Sequence, residues 1–226
     1  MFFYDPTFML LIPVMILAFY AQSKVKGNYQ KYLKVRNNSG KTGEEVARYI
    51  LDKNNLNDIA ILPIDGTLSD HYDPQKRELH LSNDVFYGDS ISSVSIAAHE
   101  TGHALQHSKK YLPLILRNQI VPVASFGSSA AFPLFLVGLF FGMPFLMDLG
   151  IIFFSAALIF HLVTLPVEFD ASHRALVELK DSFLIENNQM KGARAVLNAA
   201  ALTYIAATLM ALVQLIRLLV LRSSRD

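Results

Sequence analysis

The residues with the clearest chemical potential lie in one short stretch, His99-Glu100-Thr101-Gly102-His103, which has the pattern H-E-x-x-H. On a helix, His99 and His103 are one turn apart and project from the same face, where their nitrogens could bind one zinc ion. Glu100 is turned by about 100° from His99, which places its carboxylate beside the predicted metal. Because zinc lowers the pKa of a neighbouring water molecule, Glu100 is predicted to act as the general base that takes the proton of that water.

The residues around the motif favour this interpretation over a core helix that contains two hydrogen-bonded histidines. The preceding residues 94–98 are small and mostly apolar, as in a helix packed closely against other backbone. Gly102 costs a helix about 1 kcal/mol relative to alanine, so we expect another backbone or a substrate to approach there. His107 lies about 12 Å from His99 along the axis, too far to share the ion, and is interpreted as a polar position at the helix end.

Composition indicates a membrane protein with a restricted choice of metal ligands. Of the 226 residues, 52% are hydrophobic and only 17% are charged. The chain has no cysteine, which excludes disulfides and a thiolate zinc site, so the ligands must be His, Asp or Glu. The net charge of +1 argues against a polyanionic partner such as nucleic acid.

Four hydrophobic stretches could cross a bilayer, at about residues 7–22, 119–142, 147–166 and 196–221. A span needs about 20 apolar residues, so the first stretch is of marginal length. A secretory signal starts with positively charged residues. Here the residues before the stretch include Asp5 but no Lys or Arg. We therefore expect an uncleaved N-terminal anchor.

The flanking charges predict the side of the membrane, because cytoplasmic loops carry an excess of Lys and Arg. The connector 142–145 contains neither, so we expect it on the non-cytoplasmic side. Arg222 and Arg225 argue against a C-terminus on that side, and the location of this end stays open. A basic run follows the first stretch and places the next domain in the cytoplasm: Lys24, Lys26, Lys31, Lys34, Arg36, Lys41 and Arg48.

The predicted fold is an α-helical integral membrane protein of about four spans, embedded in a lipid bilayer, with a small cytoplasmic α+β, zincin-like catalytic domain. The expected segments are a membrane anchor at 1–22, the catalytic domain at 23–112, a two-span membrane hairpin at 113–166, a cytoplasmic segment with the third zinc ligand at 167–195, and a C-terminal span with its tail at 196–226.

The polar region before the motif predicts one helix and a small sheet. Thr42 and Glu45 have the spacing of a capping box and predict a helix start. Short runs at 59–62, 68–72 and 78–82 predict strands of an antiparallel sheet. One edge of this sheet could receive an extended peptide, although a sheet that only packs against the zinc helix is an equal alternative.

The third ligand must come from a distant part of the chain, and Glu168 is the main candidate. If 119–166 forms a hairpin, its two ends return to the same membrane surface, which brings Glu168 back to the motif helix. Asp170 and His173 are alternatives, better interpreted as groups that orient a ligand or face the substrate. His161 is a further alternative inside the predicted span, where a buried, hydrogen-bonded histidine is equally expected.

The chain resembles the YugP-like family of bacterial membrane neutral zinc metallopeptidases, which is related in plan to the HtpX-type and CAAX prenyl endopeptidases. The resemblance rests on the N-terminal anchor, the H-E-T-G-H motif at 99–103, the membrane hairpin and Glu168-Phe169-Asp170-Ala171-Ser172. In the related endopeptidases the glutamate ligand begins an E-x-x-x-D pattern, and here Ser172 stands in place of the aspartate. The resemblance implies a protease of the bacterial cell membrane with its active site on the cytoplasmic side.

We therefore expect an endopeptidase that cleaves membrane or membrane-proximal proteins, with one Zn²⁺ per chain bound by His99, His103 and Glu168. The alternative is a zinc-stabilised membrane scaffold or adaptor without catalysis. Such a scaffold has no use for Glu100, whose presence favours the enzyme. Three residues are candidates for the group that polarises the scissile carbonyl: Tyr72, Tyr87 and His173.

Overall fold

The computed structural model describes residues 6–224. Asp5, used above for the N-terminal anchor, and Arg225, used for the side of the C-terminus, lie outside the described residues. Most of the chain is helical, and a small sheet precedes the helix that carries the H-E-x-x-H motif. After a 3-10 helix at Pro6–Leu10, the elements are α1 (Leu11–Leu33), α2 (Gly43–Lys53), β1 (Ala60–Ile64), β2 (His71–Asp73), β3 (Glu78–Ser82), α3 (Asn83–Phe86), α4 (Ile91–Ser108), α5 (Leu112–Phe141), α6 (Pro144–Asp181) and α7 (Met190–Ser223).

Within residues 6–224, four helices are long and apolar enough to cross a membrane, which confirms the predicted number of candidate spans. They correspond to α1 with the preceding turn, and to α5, α6 and α7. The helices are longer than the hydrophobic stretches that predict them, because polar residues continue the helical hydrogen bonding beyond the apolar part.

The polar residues that follow the third hydrophobic stretch are part of α6, which continues through Pro166 to Asp181. Glu168 therefore belongs to the same helix as the hydrophobic run before it. A buried apolar stripe at every fourth position explains why this polar part remains helical. The stripe consists of Val167, Ala171, Ala175 and Leu179.

The chain divides into two compact units. The apolar unit comprises Met1–Ala21, Pro113–Pro166 and Thr203–Asp226. The α/β unit comprises Gln22–Leu112 and Val167–Leu202, and it contains the sheet, the H-E-x-x-H motif and Glu168.

The sheet is mixed, with strand order β1-β3-β2, so the expectation of an antiparallel sheet is wrong for β1. β2 and β3 form a hairpin, because the Asp73 carboxylate accepts hydrogen bonds from two backbone N–H groups of the turn between them. No such turn joins β1 to β3, and β1 pairs in parallel with the other edge of β3. Opposite residues are Ala60 and Glu78 in the parallel pair, and His71 and His80 in the antiparallel pair.

The α/β unit has one hydrophobic core, to which α2, β3, α4, α6 and α7 contribute. α2 begins at the predicted capping box: Thr42 Oγ1 accepts from the Glu45 N–H at 3.2 Å, and Glu45 Oε2 accepts from the Thr42 N–H at 2.8 Å. This packing fixes α4 on several sides. Central core residues are Val46, Ile50, Leu51, Leu79, Leu81, Val94, Ala98 and Leu179.

Candidate metal centre

α4 presents the two motif histidines on one face, as their spacing predicts. The helix starts at Ser90, whose hydroxyl accepts a hydrogen bond from the Ser93 N–H at 3.0 Å and so satisfies one of the open donors of the first turn. The rings of His99 and His103 are 4.8 Å apart between centroids and nearly perpendicular. Both Nε2 atoms lie next to the same carboxylate oxygen, which belongs to Glu168 on α6.

Glu168 completes a group that could hold a metal ion. Its Oε2 lies 3.3 Å from His99 Nε2 and 3.7 Å from His103 Nε2. Among residues 6–224, these three side chains are the only such group, and their ligand atoms all lie within 4.8 Å of one another. Atoms bonded to one tetrahedral zinc at roughly 2.0–2.1 Å are separated by roughly 3.3–3.4 Å. The two nitrogen–oxygen distances are close to this separation, so the three side chains could hold a zinc ion with two nitrogen ligands and one oxygen ligand.

The close approach of α4 and α6 depends on Gly102, as its position in the motif led us to expect. A Cβ atom on Gly102 would lie only 2.6 Å from the backbone oxygen of Ala171. Since α6 passes this glycine backbone to backbone, Glu168, about one turn before Ala171, reaches the histidine face of α4.

Glu100 lies beside this group and is only 9% exposed. Burial raises the pKa of Glu100 to about 8; the charge of His99 opposes this effect, and the Glu168 and Asp70 carboxylates add to it. The backbone N–H of Tyr72 in strand β2 donates a hydrogen bond to Glu100 and favours its ionised form. A metal cation bound by His99, His103 and Glu168 would favour the ionised form as well. The carboxyl group thus lies between the ligand group and the edge strand of the sheet.

The second nitrogen of each imidazole is also contacted. His99 Nδ1 lies 3.1 Å from the Ser172 hydroxyl, and His103 Nδ1 lies 3.1 Å from Gln106 Oε1. Sequence reasoning missed Gln106, although its position three residues after His103 puts the two on neighbouring parts of the helix surface. Ser172, noted only as a departure from the family pattern, is the side chain that faces His99.

The remaining predicted site residues lie outside the ligand group. Asp170 contacts Gln106 and Arg174, and His173 is exposed on α6. Tyr87 is 66% exposed after α3, and its ring packs on Phe86.

Two further histidines are accounted for elsewhere. His107 lies at the C-terminal end of α4, as its interpretation as a polar helix-end position requires, and its Nδ1 contacts the Tyr72 hydroxyl at 2.9 Å. The side chain of Tyr72 is thus engaged by His107, whereas its backbone faces Glu100. His161 belongs to the apolar unit and packs beside Phe160.

Comparisons with known proteins point to the same chemistry. A protein of Bacillus subtilis (strain 168) named "Putative membrane protease YugP" is 51% identical over 218 residues, which cover 96% of this chain and 97% of that protein. No solved structure matches the chain. The family model described as "Putative neutral zinc metallopeptidase" matches residues 7–223. Because that match spans nearly the whole chain, including the histidines and the glutamate that fit a zinc ion, the chain belongs to this family of neutral zinc metallopeptidases.

Proposed function

We propose that the chain is a zinc-dependent endopeptidase of the gluzincin type, with His99, His103 and Glu168 as ligands and Glu100 as the general base. The observation that carries the proposal is the position of Glu100 on α4, next in sequence to one ligand and buried beside the carboxylate of another. A structural zinc site needs only its ligands, whereas hydrolysis needs a base close to the reacting water.

The side chains of the site divide the work of peptide hydrolysis between them. A bound zinc ion supplies Lewis acidity, which polarises the scissile carbonyl and lowers the pKa of the attacking water. Glu100 takes the proton of that water on its carboxylate and donates it to the leaving amine nitrogen as the C–N bond breaks. The His99, His103 and Glu168 side chains are largely buried, which limits competing water and strengthens the electrostatic interactions among them.

Strand β2 is the edge that we assign to the substrate. It pairs with β3 on one side, and the backbone of Tyr72 on this strand hydrogen-bonds Glu100. An extended peptide bound along β2 would therefore run past the general base, with its main chain held by the strand. Of the two alternatives drawn from the sequence, the proposal thus adopts peptide binding at a sheet edge over a sheet that only packs against the zinc helix.

We further propose that the α/β unit lies on the cytoplasmic face of a bacterial cell membrane and acts on membrane or membrane-proximal proteins. The support is the basic run between residues 24 and 48, together with the apolar helices of membrane-spanning length. Nucleic acid is not an expected partner, because the net charge is only +1.

Substitution of Glu100 by glutamine tests the catalytic role. We expect Glu100→Gln to retain zinc and to lose peptidase activity by about 10²–10⁴-fold, because the amide cannot accept the proton. The same variant should hold uncleaved substrate, so mass spectrometry of the proteins that copurify with it would identify the substrate. The readouts are zinc content by atomic emission and cleavage of casein by the protein purified in detergent.

Glu44→Gln, on the first turn of α2, is the matched control and should preserve both zinc and cleavage. Undiminished cleavage by Glu100→Gln would contradict the proposed base. Full zinc with no proteolysis of casein or membrane proteins by the unmodified chain would favour the scaffold.

A further inference from the structure

A chain of hydrogen bonds runs from the back of His103 to α6. His103 Nδ1 lies 3.1 Å from Gln106 Oε1, and Gln106 is fully buried. Gln106 Nε2 donates to the backbone oxygen of Val167 at 2.7 Å and to Asp170 Oδ2 at 2.8 Å. Arg174 Nε donates to the same Asp170 oxygen at 2.6 Å. These contacts lie behind the histidine, on the side away from Glu168.

The chemistry of these partners fixes the direction of every hydrogen bond. A backbone carbonyl and a carboxylate paired with arginine can only accept, so the Gln106 atom that faces both must be its NH₂ group. The other atom of the amide is then an oxygen, which can only accept. His103 Nδ1 must therefore carry a proton, so in the neutral imidazole, the form that binds a metal, Nε2 is the nitrogen with the lone pair, and it faces Glu168.

The hydrogen-bond partner of His99 does not fix which ring nitrogen carries the proton. Its Nδ1 faces the hydroxyl of Ser172 at 3.1 Å, and a hydroxyl can donate or accept. Of the two imidazoles, His103 is thus the one whose tautomer is set by its surroundings. The formal charge that stabilises this tautomer is the Asp170 carboxylate, which acts through the amide of Gln106.

We propose that Gln106 and Asp170 are positioning residues that fix the Nδ1–H tautomer and ring orientation of His103, and so hold Nε2 ready to bind the metal. The proposal rests on the zinc site described above, but it concerns metal affinity and does not require that the chain be catalytic. It also gives Asp170 a role in orienting His103 through Gln106, and not in direct ligation.

The test is the zinc dissociation constant of the full-length protein in detergent, measured by competition with a chromophoric chelator. Partners of metal-binding histidines typically contribute 10–100-fold to metal affinity. We therefore expect Gln106→Leu to weaken zinc binding 10–100-fold, and Asp170→Asn to weaken it less because the amide of Gln106 remains. The Co²⁺-substituted Gln106→Leu protein should also show an altered visible spectrum, since one nitrogen ligand is no longer held in place.

A matched control separates this effect from general loss of packing. Gln189 also joins separate parts of the α/β unit, since its Nε2 donates to the Arg36 backbone oxygen at 2.9 Å and to Asn38 Oδ1 at 2.8 Å. Gln189→Leu should leave the zinc dissociation constant unchanged. An equal loss of affinity in Gln189→Leu and Gln106→Leu would overturn the proposal.

A second variant keeps the test decisive if Gln106→Leu fails to fold. Gln106→Glu has nearly the same size, and one oxygen of its carboxylate can still accept from His103. Its other oxygen, in place of Nε2, faces the Val167 backbone oxygen and Asp170 Oδ2, which also only accept. We therefore expect Gln106→Glu to bind zinc more weakly than the unmodified protein. Zinc affinity that is unchanged in every Gln106 variant would overturn the inference, whereas absence of zinc from the unmodified protein would instead remove the proposed metal site.

Discussion

At the scale of single residues, two carboxylates that stand two positions apart on α6 have different surroundings. Glu168 Oε2 lies 3.3 Å from His99 Nε2, whereas Asp170 Oδ2 accepts hydrogen bonds from Gln106 and Arg174. Positions two apart on a helix are turned by about 200°, so the two side chains leave the helix in different directions. The sequence predicts Glu168 and keeps Asp170 as an alternative, because both carboxylates directly follow the third hydrophobic stretch.

This difference predicts opposite outcomes for conservative substitutions of the two residues. Glu168→Gln replaces the proposed negatively charged ligand with a neutral amide and should weaken zinc binding by more than about 100-fold, beyond the usual effect of a residue that only contacts a ligand. Glu168→Asp keeps the charge but shortens the arm by one methylene, so we expect an intermediate loss. Asp170→Asn should still contain zinc after purification. Zinc content of the three proteins decides the matter, and an empty Asp170→Asn beside a filled Glu168→Gln would mean that the ligand has been assigned to the wrong carboxylate.

The role of a residue could be predicted from the sequence when its partners are close to it in the chain. The H-E-x-x-H spacing brings His99 and His103 together within one helix, so the sequence predicts that part directly. Gln106 takes its orientation from Val167 and Asp170, which are 61 and 64 positions away, and no local pattern reports those contacts. The role proposed for Gln106 could therefore be inferred only once α4 and α6 were placed side by side.

At the scale of elements, the metal centre depends on two helices that touch through their backbones. Gly102 on α4 has room for no side chain, because its missing Cβ would overlap the Ala171 backbone oxygen. The ligands on the two helices therefore hold their spacing only while this contact is kept. Gly27 on α1 is a contrasting helical glycine, since a Cβ there meets nothing within 4 Å.

Alanine substitutions at these two glycines should have opposite effects. Gly102→Ala forces α4 and α6 apart, which we expect to cost about 1–3 kcal/mol of stability and to lower zinc affinity as the Glu168 carboxylate moves away. Gly27→Ala should be neutral or stabilising by up to about 1 kcal/mol, because alanine favours helix and has space there. Thermal unfolding and zinc titration of both purified proteins provide the measurements. A Gly102→Ala protein with unchanged zinc affinity would show that the backbone contact does not set the spacing of the ligands.

The local sequence pattern predicted which segments form helices and strands. It did not predict how the strands pair or that α6 continues beyond its apolar part. The Thr42 and Glu45 capping box marks the start of α2 because both partners are within one turn. The parallel pairing of β1 depends on the burial of β3 between two neighbours, which is a tertiary effect. The polar part of α6 reads as a separate segment by composition, and only its stripe of buried residues at every fourth position identifies it as helix.

At the scale of the whole molecule, contacts within the apolar unit bear on the side of the C-terminus, which the sequence left open. Arg222 Nε, in the last turn of α7, donates to Asp148 Oδ1 at 2.8 Å. Asp148 lies in the first turns of α6, just after the connector at Gly142 and Met143. The end of α7 thus lies near the start of α6, and the positive charge of Arg222 is paired with a carboxylate. Arg222 therefore counts little toward a cytoplasmic C-terminus, and we infer that this end shares the side of the connector.

The absence of cysteine in the natural sequence allows a direct test by labelling single introduced cysteines with a membrane-impermeant maleimide. Met143→Cys in the connector and Ser224→Cys after α7 should both react in intact cells, because we expect both on the non-cytoplasmic side. Gln75→Cys, in the exposed turn between β2 and β3, should react only after the membrane is permeabilised, because we propose from the basic run at 24–48 that the α/β unit faces the cytoplasm. Labelling of Gln75→Cys in intact cells would reverse the proposed orientation. A different result would be protection of Ser224→Cys while Met143→Cys reacts. The end of α7 and the start of α6 would then lie on opposite sides of the membrane, although the Arg222–Asp148 ion pair joins them. That result would contradict the inference about the C-terminus.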